Sequence, residues 1–312
     1  GELEKAYNQI KSYAFQAVLA QKKETRIRNI FQRYVPREVI DRFFQNPESM
    51  LVGENRVVSV LFSDIRSFTS ISEGMMPDDL VNALNAYFSV MVDIIMGRGG
   101  VVDKYIGDAI MAFFGAPVKH EDDALQSVMA GVEMIESLKE FNRKQVADGR
   151  PEFLIGIGIN YGFVTVGNIG NERKMDYTVI GDMVNLASRL EGLTKYYDQE
   201  IIISESVYRK VKDTLPCRQL DRVAVKGKKT GTSIYTTKRS LSGTEKQAWD
   251  IHRQGMKLFF NREFGKAEEA FREVGRLLPG DRVAELMGDR AARYRTSPPP
   301  EDWTGVEVMQ QK

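Results

Sequence analysis

Two aspartates carry the chemistry that is most directly legible in this chain. Asp64 follows the apolar run Val57–Phe62, and Asp108 follows Gly107 between the apolar runs Val101–Ile106 and Ala109–Phe114. If these runs are strands lying side by side, both carboxylates emerge at one edge of a sheet. Two carboxylates so placed can share one or two Mg²⁺ or Mn²⁺ ions and leave coordination positions for phosphate oxygens and water. Two metals can stabilise both the attacking and the leaving oxygen of an in-line phosphoryl displacement. Either aspartate alone would as readily cap a helix or fill a turn. The pair, taken with its neighbours, points to metal-dependent chemistry at phosphorus.

The elements that must position these residues follow from periodicity. Residues 1–45 read as helix, with Leu3, Ala6, Ile10, Tyr13, Ala17, Ala20, Ile27, Phe31 and Tyr34 in a heptad seam that predicts a parallel coiled coil. Pro36 breaks that helix, and a short amphipathic helix, Arg37 to Phe44, leads on. From Arg56 to Ile234 strands and helices alternate. Pro77 to Ile95 has helical spacing, Val101–Ile106 and Ala109–Phe114 read as a hairpin, and Glu121 to Val146 reads as a second long helix. Phe153–Ile159 and Phe163–Ile169 are predicted as another hairpin turning at Asn160-Tyr161-Gly162. A helix over Val184–Leu193, a strand over Ile201–Ser204, a helix over Ser206–Leu215 and strands over Arg222–Val225 and Gly231–Thr237 complete the domain. Hairpins mixed with helices indicate an α+β fold.

Beyond that domain, Ala248 to Leu278 is helical and ends at Pro279-Gly280. Gly255, Ala267, Phe271 and Pro279 fall where a tetratricopeptide-like helix pair would place them. One such repeat cannot bury its own face, so it is expected to dock on the domain or on its partner. The tail from Ser297, with three prolines and then Trp303, is expected to be extended. The predicted organisation is 1–45 signalling helix, 46–240 main domain, 241–296 helical segment and 297–312 tail.

Composition narrows the function classes. The chain has 312 residues, 42% hydrophobic and 28% charged, with a formal net charge of +1. That balance gives no reason to expect nucleic acid or an anionic membrane as the main partner. Cys217 is the only cysteine, so no internal disulfide forms and a reducing, cytoplasmic setting is expected. No apolar run approaches the ~20 residues that span a bilayer. The helical character at Gly1 suggests a piece of something longer, with a sensor upstream. His120 and His252 lie in unrelated segments, which disfavours a histidine metal or nucleophile site, and Cys217 is expected to pack rather than react. No phosphate-binding GxxxxGK[ST] loop occurs.

Three stretches make the reading specific. They are Leu61-Phe62-Ser63-Asp64-Ile65-Arg66-Ser67-Phe68-Thr69, Val102 to Gly115 around Lys104 and Asp108, and Val179 to Leu190 around Asn185 and Arg189. Together they resemble the class III nucleotidyl cyclase family, over about Val57 to Thr237. The resemblance implies a ferredoxin-like α+β domain that dimerises, with its active site at the interface and two Mg²⁺ or Mn²⁺ ions per site. It implies that Asp64, Asp108 and the carbonyl of Ile65 hold metal, and that Lys104 and Thr178 read the purine. Asn185 would orient the ribose, Arg189 would stabilise charge at the α-phosphate, and Lys226 would grip the terminal phosphates. Phe68 and Thr69 are grouped with the substrate-binding residues. One chain would supply the metal pair and its partner the rest, so a homodimer would hold two composite sites.

The chemistry is consistent with those assignments. Cyclisation requires the ribose 3′-hydroxyl to attack its own α-phosphorus and expel pyrophosphate. Arg189 offers a planar, permanently charged donor set for the transition state, and Asn185, four residues earlier, shares its helix face. Lys104 has only donors and can meet adenine N1, while the Thr178 hydroxyl can accept from the N6 amino group. ATP is the expected substrate and cyclic AMP the expected product; a guanylate or dual-specificity cyclase and an inactive nucleotide-binding module are the alternatives. Threonine at 178 resembles the class IIIb subgroup, some members of which respond to bicarbonate.

Overall fold

The computed structural model describes residues 53–171, 173–224 and 231–308, together with Gln21, Lys22 and Thr25. The seam expected over 1–45, apart from those three helical residues, lies outside the described residues, as do Pro36 and Lys226. In chain order the elements are β1 (Glu54–Ile65), α1 (Phe68–Glu73), α2 (Pro77–Gly97), β2 (Val101–Ile106), β3 (Ala109–Phe114), α3 (Asp123–Ala147), β4 (Ile155–Asn171) and β5 (Lys174–Ile180). There follow α4 (Asp182–Tyr197), β6 (Ile201–Ser204), α5 (Glu205–Val211), β7 (Cys217–Ala224), β8 (Thr232–Thr237), α6 (Gly243–Phe260), α7 (Phe264–Leu277), α8 (Arg282–Thr296) and β9 (Glu307–Val308).

The strands join in the order β2-β3-β1-β4-β6-β8-β7-β9, with β5 paired on β4. β1 and β3 run antiparallel with Ser63 opposite Ile110, while β4 and β6 run parallel. This is the mixed α+β architecture expected from the sequence. The hairpin part Val166–Thr178 belongs to one compact unit; Asn55–Thr165 and the residues from Val179 onward form the other.

Alternation along the strands fills two cores. Ile201 and Ile203 join Leu61, Tyr87, Met91, Ile95 and Phe153 in one buried cluster, and Ile202 points the opposite way into a cluster with Leu190, Tyr197, Phe259 and Phe271. The first core is covered by α2 and α3, and the second by α4 and the C-terminal helices. α2 is long and apolar enough to resemble a membrane span. Its Ala83, Tyr87, Met91 and Ile95 nevertheless form a helical stripe within the first core.

The structure corrects three sequence readings. Asn160-Tyr161-Gly162 does not turn: β4 runs straight through it, and the chain reverses after Asn171 into β5, which was not foreseen. Asn160 spends its turn-forming side chain on tertiary contacts instead, donating from Nδ2 to Met183 O at 2.8 Å and accepting from Ser206 Oγ at 3.2 Å. β1 continues past Phe62 to Ile65, so Asp64 stands on the strand rather than beyond it. The C-terminal segment holds three helices, and the tail is tied down. Gly255, Ala267 and Phe271 are buried in α6 and α7. Trp303 packs with Phe259, Phe264 and Tyr294, and β9 adds in parallel to β7.

Candidate active site

Register brings the two aspartates together. Asp108 occupies the β2–β3 turn, where Gly107 takes φ 67°, a left-handed conformation that glycine adopts without steric penalty. Extending the β1–β3 register from Ser63 opposite Ile110 sets Ile65 beside the turn. The Ile65 N–H donates to Asp108 Oδ2 at 3.3 Å. Asp64 is half-buried on the same strand end and within hydrogen-bonding reach of Asp108.

The pair has a strong appetite for positive charge. Burial, then the hydrogen bond and the charge of Asp108, push the Asp64 carboxyl up to about 7, against the opposing pull of the Ile65 N–H. Beneath it, Tyr87 is fully buried with its hydroxyl 3.5 Å from Ser63 Oγ, and burial raises its phenol too. Two carboxylates this close hold either a shared proton or a cation. Their all-oxygen chemistry fits Mg²⁺ or Mn²⁺. Among the described residues no cluster of three or more His, Cys, Asp or Glu forms a metal cage. An ion held by this pair would take its other oxygens from backbone, such as the Ile65 carbonyl, from water or from substrate.

α4 carries the second set. Gly156 and Gly158 of β4 let this helix lie directly on the strand: a Cβ at Gly158 would stand 2.1 Å from Glu191 N and 2.3 Å from Ala187 O. Ala187, Leu190, Thr194 and Tyr197 face inward, whereas Asn185 and Arg189 are exposed. Among the described residues neither side chain makes a hydrogen bond or ion pair. An arginine and an asparagine one turn apart, uncommitted to their own chain, are available to a ligand.

Lys104 reaches its place through a β-bulge. The register shifts between Val102 and Lys104, which makes Asp103 the extra residue. Asp103, with a fully buried side chain, then sits 3.3 Å from Lys104 Nζ and restrains the ammonium, which remains 38% exposed. Thr178 is buried near the end of β5, in the hairpin unit. Phe68 packs against the first core, and Thr69 is exposed in the first turn of α1, where backbone N–H groups lack helical partners.

Two neighbours escaped the sequence reading. Glu191 on α4 is pushed up to about 7 by burial and by the charge of Asp64, with Arg66 opposing. Its position was legible: with Ala187, Leu190 and Thr194 it completes an inward i, i+3, i+4, i+7 stripe. Arg66 sits inside the first motif, but nothing in its spacing reveals its partners. The remaining candidates stay structural. His252 is buried between Arg218 and Gln219 O, His120 pairs with Asp123, and burial pushes the Cys217 thiol up to about 11.

Residues 52–238 match the family described as the adenylate and guanylate cyclase catalytic domain. An adenylate cyclase of Anabaena cylindrica is 42% identical over 218 residues, covering 67% of this chain and 42% of that protein. Adenylate cyclase 1 of Rhizobium meliloti (strain 1021) is 34% identical over 206 residues, covering 66% of this chain and 31% of that protein. The chain thus spans less than half the length of these curated relatives. The adenylyl cyclase CyaB from P. aeruginosa superposes with a TM-score of 0.58 at 38% identity, over 61% of this chain and 98% of that one. The guanylyl cyclase Cya2 does so at 0.55 and 40%, over 59% and 93%. With the matched residues spanning more than half of its length and the carboxylate pair inside them, the chain belongs to the adenylate and guanylate cyclase catalytic domain family.

Proposed function

We propose that the chain is the catalytic part of an adenylate cyclase, converting ATP to 3′,5′-cyclic AMP and pyrophosphate at the interface of a homodimer, in signal transduction. The observation that supports this reading is that one chain carries two sets of ligand-ready groups on separate elements. A cation-seeking pair, Asp64 and Asp108, stands at the end of β1, and Asn185 and Arg189 stand uncommitted on the exposed face of α4. A second copy supplies what each half lacks.

One or two Mg²⁺ or Mn²⁺ ions, held by Asp64, Asp108 and the Ile65 carbonyl, would lower the pKa of the 3′-hydroxyl and spread phosphate charge. Lys104 donates to adenine N1 and Thr178 accepts from the N6 amino group. Asn185 holds the ribose so that the 3′-oxygen lies in line with the α-phosphorus. Arg189 donates to the α-phosphate oxygens as charge builds there. Lys226 and the first-turn N–H groups of Phe68 and Thr69 hold the outgoing pyrophosphate. The lone cysteine and the balanced charge support a cytoplasmic site of action for this part, downstream of a sensor.

Similarity to both adenylyl and guanylyl cyclases makes base choice the point to test. Product assays with ATP and GTP, each with Mg²⁺ and Mn²⁺, are expected to yield cyclic AMP from ATP well above cyclic GMP from GTP. A reversed ratio would make it a guanylate cyclase, and ATP binding without pyrophosphate release would make it a silent module.

A further inference from the structure

Arg66 follows directly on the metal-holding segment, and its contacts leave that segment for the end of α4. Its backbone N–H donates to Leu154 O at 2.7 Å. Its guanidinium donates from Nη2 to Gln199 O at 2.8 Å and to Thr194 O at 3.3 Å, and from Nη1 to Asp198 Oδ1 at 3.1 Å. Thr194 lies in the last turn of α4, where the helix dipole favours a cation, and its carbonyl also accepts the backbone N–H groups of Asp198 and Gln199. The side chain is only 22% exposed. α4 is therefore fixed at two places: its middle lies on the Gly156–Gly158 stretch of β4, and its end is held by Arg66.

We propose that Arg66 is a positioning residue that joins the two half-sites carried by one chain. It ties Asp64-Ile65, which serve one active site of the dimer, to the helix that presents Asn185 and Arg189 to the other. The inference rests on the composite-site reading above. Three acceptors spread around one guanidinium suit its planar fork; a lysine ammonium cannot match that geometry. Movement of the metal-holding segment in one site then shifts Arg189 in its twin.

The test uses differently tagged chains and purified heterodimers. Asp108→Ala paired with Arg189→Ala leaves one intact composite site and sets the reference. In Arg66→Ala paired with Arg189→Ala, the one site with a complete residue set takes its Asp64 and Asp108 from the chain that retains Arg66, and its α4 from the Arg66→Ala chain. The expected result is a kcat about tenfold or more below the reference, with unchanged Mn²⁺ dependence. In Arg66→Ala paired with Asp108→Ala, the surviving site takes its metal pair from the altered chain, and a higher Mn²⁺ requirement is expected. Arg66→Lys, which keeps the charge, should fall between Ala and the reference in the first pairing, and it carries the test if circular dichroism shows Arg66→Ala unfolded. Reference-level kcat in the first pairing, with either substitution, overturns the proposal. A dead reference pair overturns the composite-site reading instead.

Discussion

The Ile65 N–H donates to Asp108 Oδ2 across 3.3 Å, so the backbone of β1 fixes the carboxylate of the β2–β3 turn. The same contact keeps Asp108 beside Asp64. If this pair holds the metal, Asp108→Ala and Asp64→Asn should both abolish saturable Mn²⁺ binding in calorimetry. Turnover should fall by at least about a thousandfold, because the phosphate charge loses its main stabiliser. Melting temperature should hold or rise, since each substitution relieves like-charge repulsion. A variant that keeps a tenth of wild-type activity would remove that aspartate from the metal site.

Protons and metal compete for this pair. The Asp64 carboxyl rises from 3.8 to about 7 on folding, chiefly by burial and then by Asp108. With the folded value above the unfolded one, the metal-free protein binds the extra proton at low pH. The associated stability is fully present below about 4 and is lost as pH rises through about 7. Glu191, also raised to about 7, adds in the same direction. Thermal melts should therefore show Mn²⁺ raising Tm more at pH 8 than at pH 6. Equal shifts at both values would contradict the paired-carboxylate account, and Asp64→Asn should reduce the pH dependence.

Division of labour between chains gives a complementation result. Asp108→Ala and Arg189→Ala homodimers should each be inactive. Mixed and refolded together, they should recover up to roughly a quarter of wild-type activity, because half of the dimers are mixed and each holds one intact site. A mixture that stays inactive would mean that the metal pair and Arg189 act within one chain.

Gly158 is where β4 and α4 touch backbone to backbone. An alanine Cβ there would sit 2.1 Å from Glu191 N, and backbone on both sides cannot yield as a side chain could. Gly158→Ala should lower stability by about 3 kcal/mol and displace Asn185 and Arg189 with the helix. Urea melts and turnover should fall together. A wild-type melt would show that α4 does not need this contact.

The parts of the fold that were legible in the sequence are those governed by local physics. The Pro77 start of α2, the Gly107-Asp108 turn and the short apolar strand Ile201–Ser204 each follow from a residue's backbone preference or a brief β-branched run. Errors arose where tertiary contacts override such preferences. Asn160 and Gly162 look like a turn until Met183 and Ser206 are placed beside them. The Arg66 guanidinium has no helical or strand partner to mark it, since its acceptors lie more than a hundred residues away. For Asn185 and Arg189 the spacing of four fixes a shared helix face, which the structure leaves exposed, while their roles come from the family resemblance.

The C-terminal helices are fastened to α4 through buried charge. Arg290 Nη1 of α8 lies 2.9 Å from Asp221 of β7, with 6% and 0% of their side chains exposed, and the Tyr197 hydroxyl at the end of α4 donates to the same carboxylate at 2.8 Å. Removing one partner of a buried pair leaves the other charge without compensation, so Arg290→Ala should cost about 3–5 kcal/mol. Replacing both, Arg290→Met with Asp221→Leu, should recover most of that stability, since an apolar pair of similar volume needs no ionic partner. It would still remove the acceptor of Tyr197, so the double variant should melt near wild type yet turn over more slowly if the end of α4 must be held. Wild-type turnover in a stable double variant would show that the three C-terminal helices stabilise the domain without setting the position of Arg189.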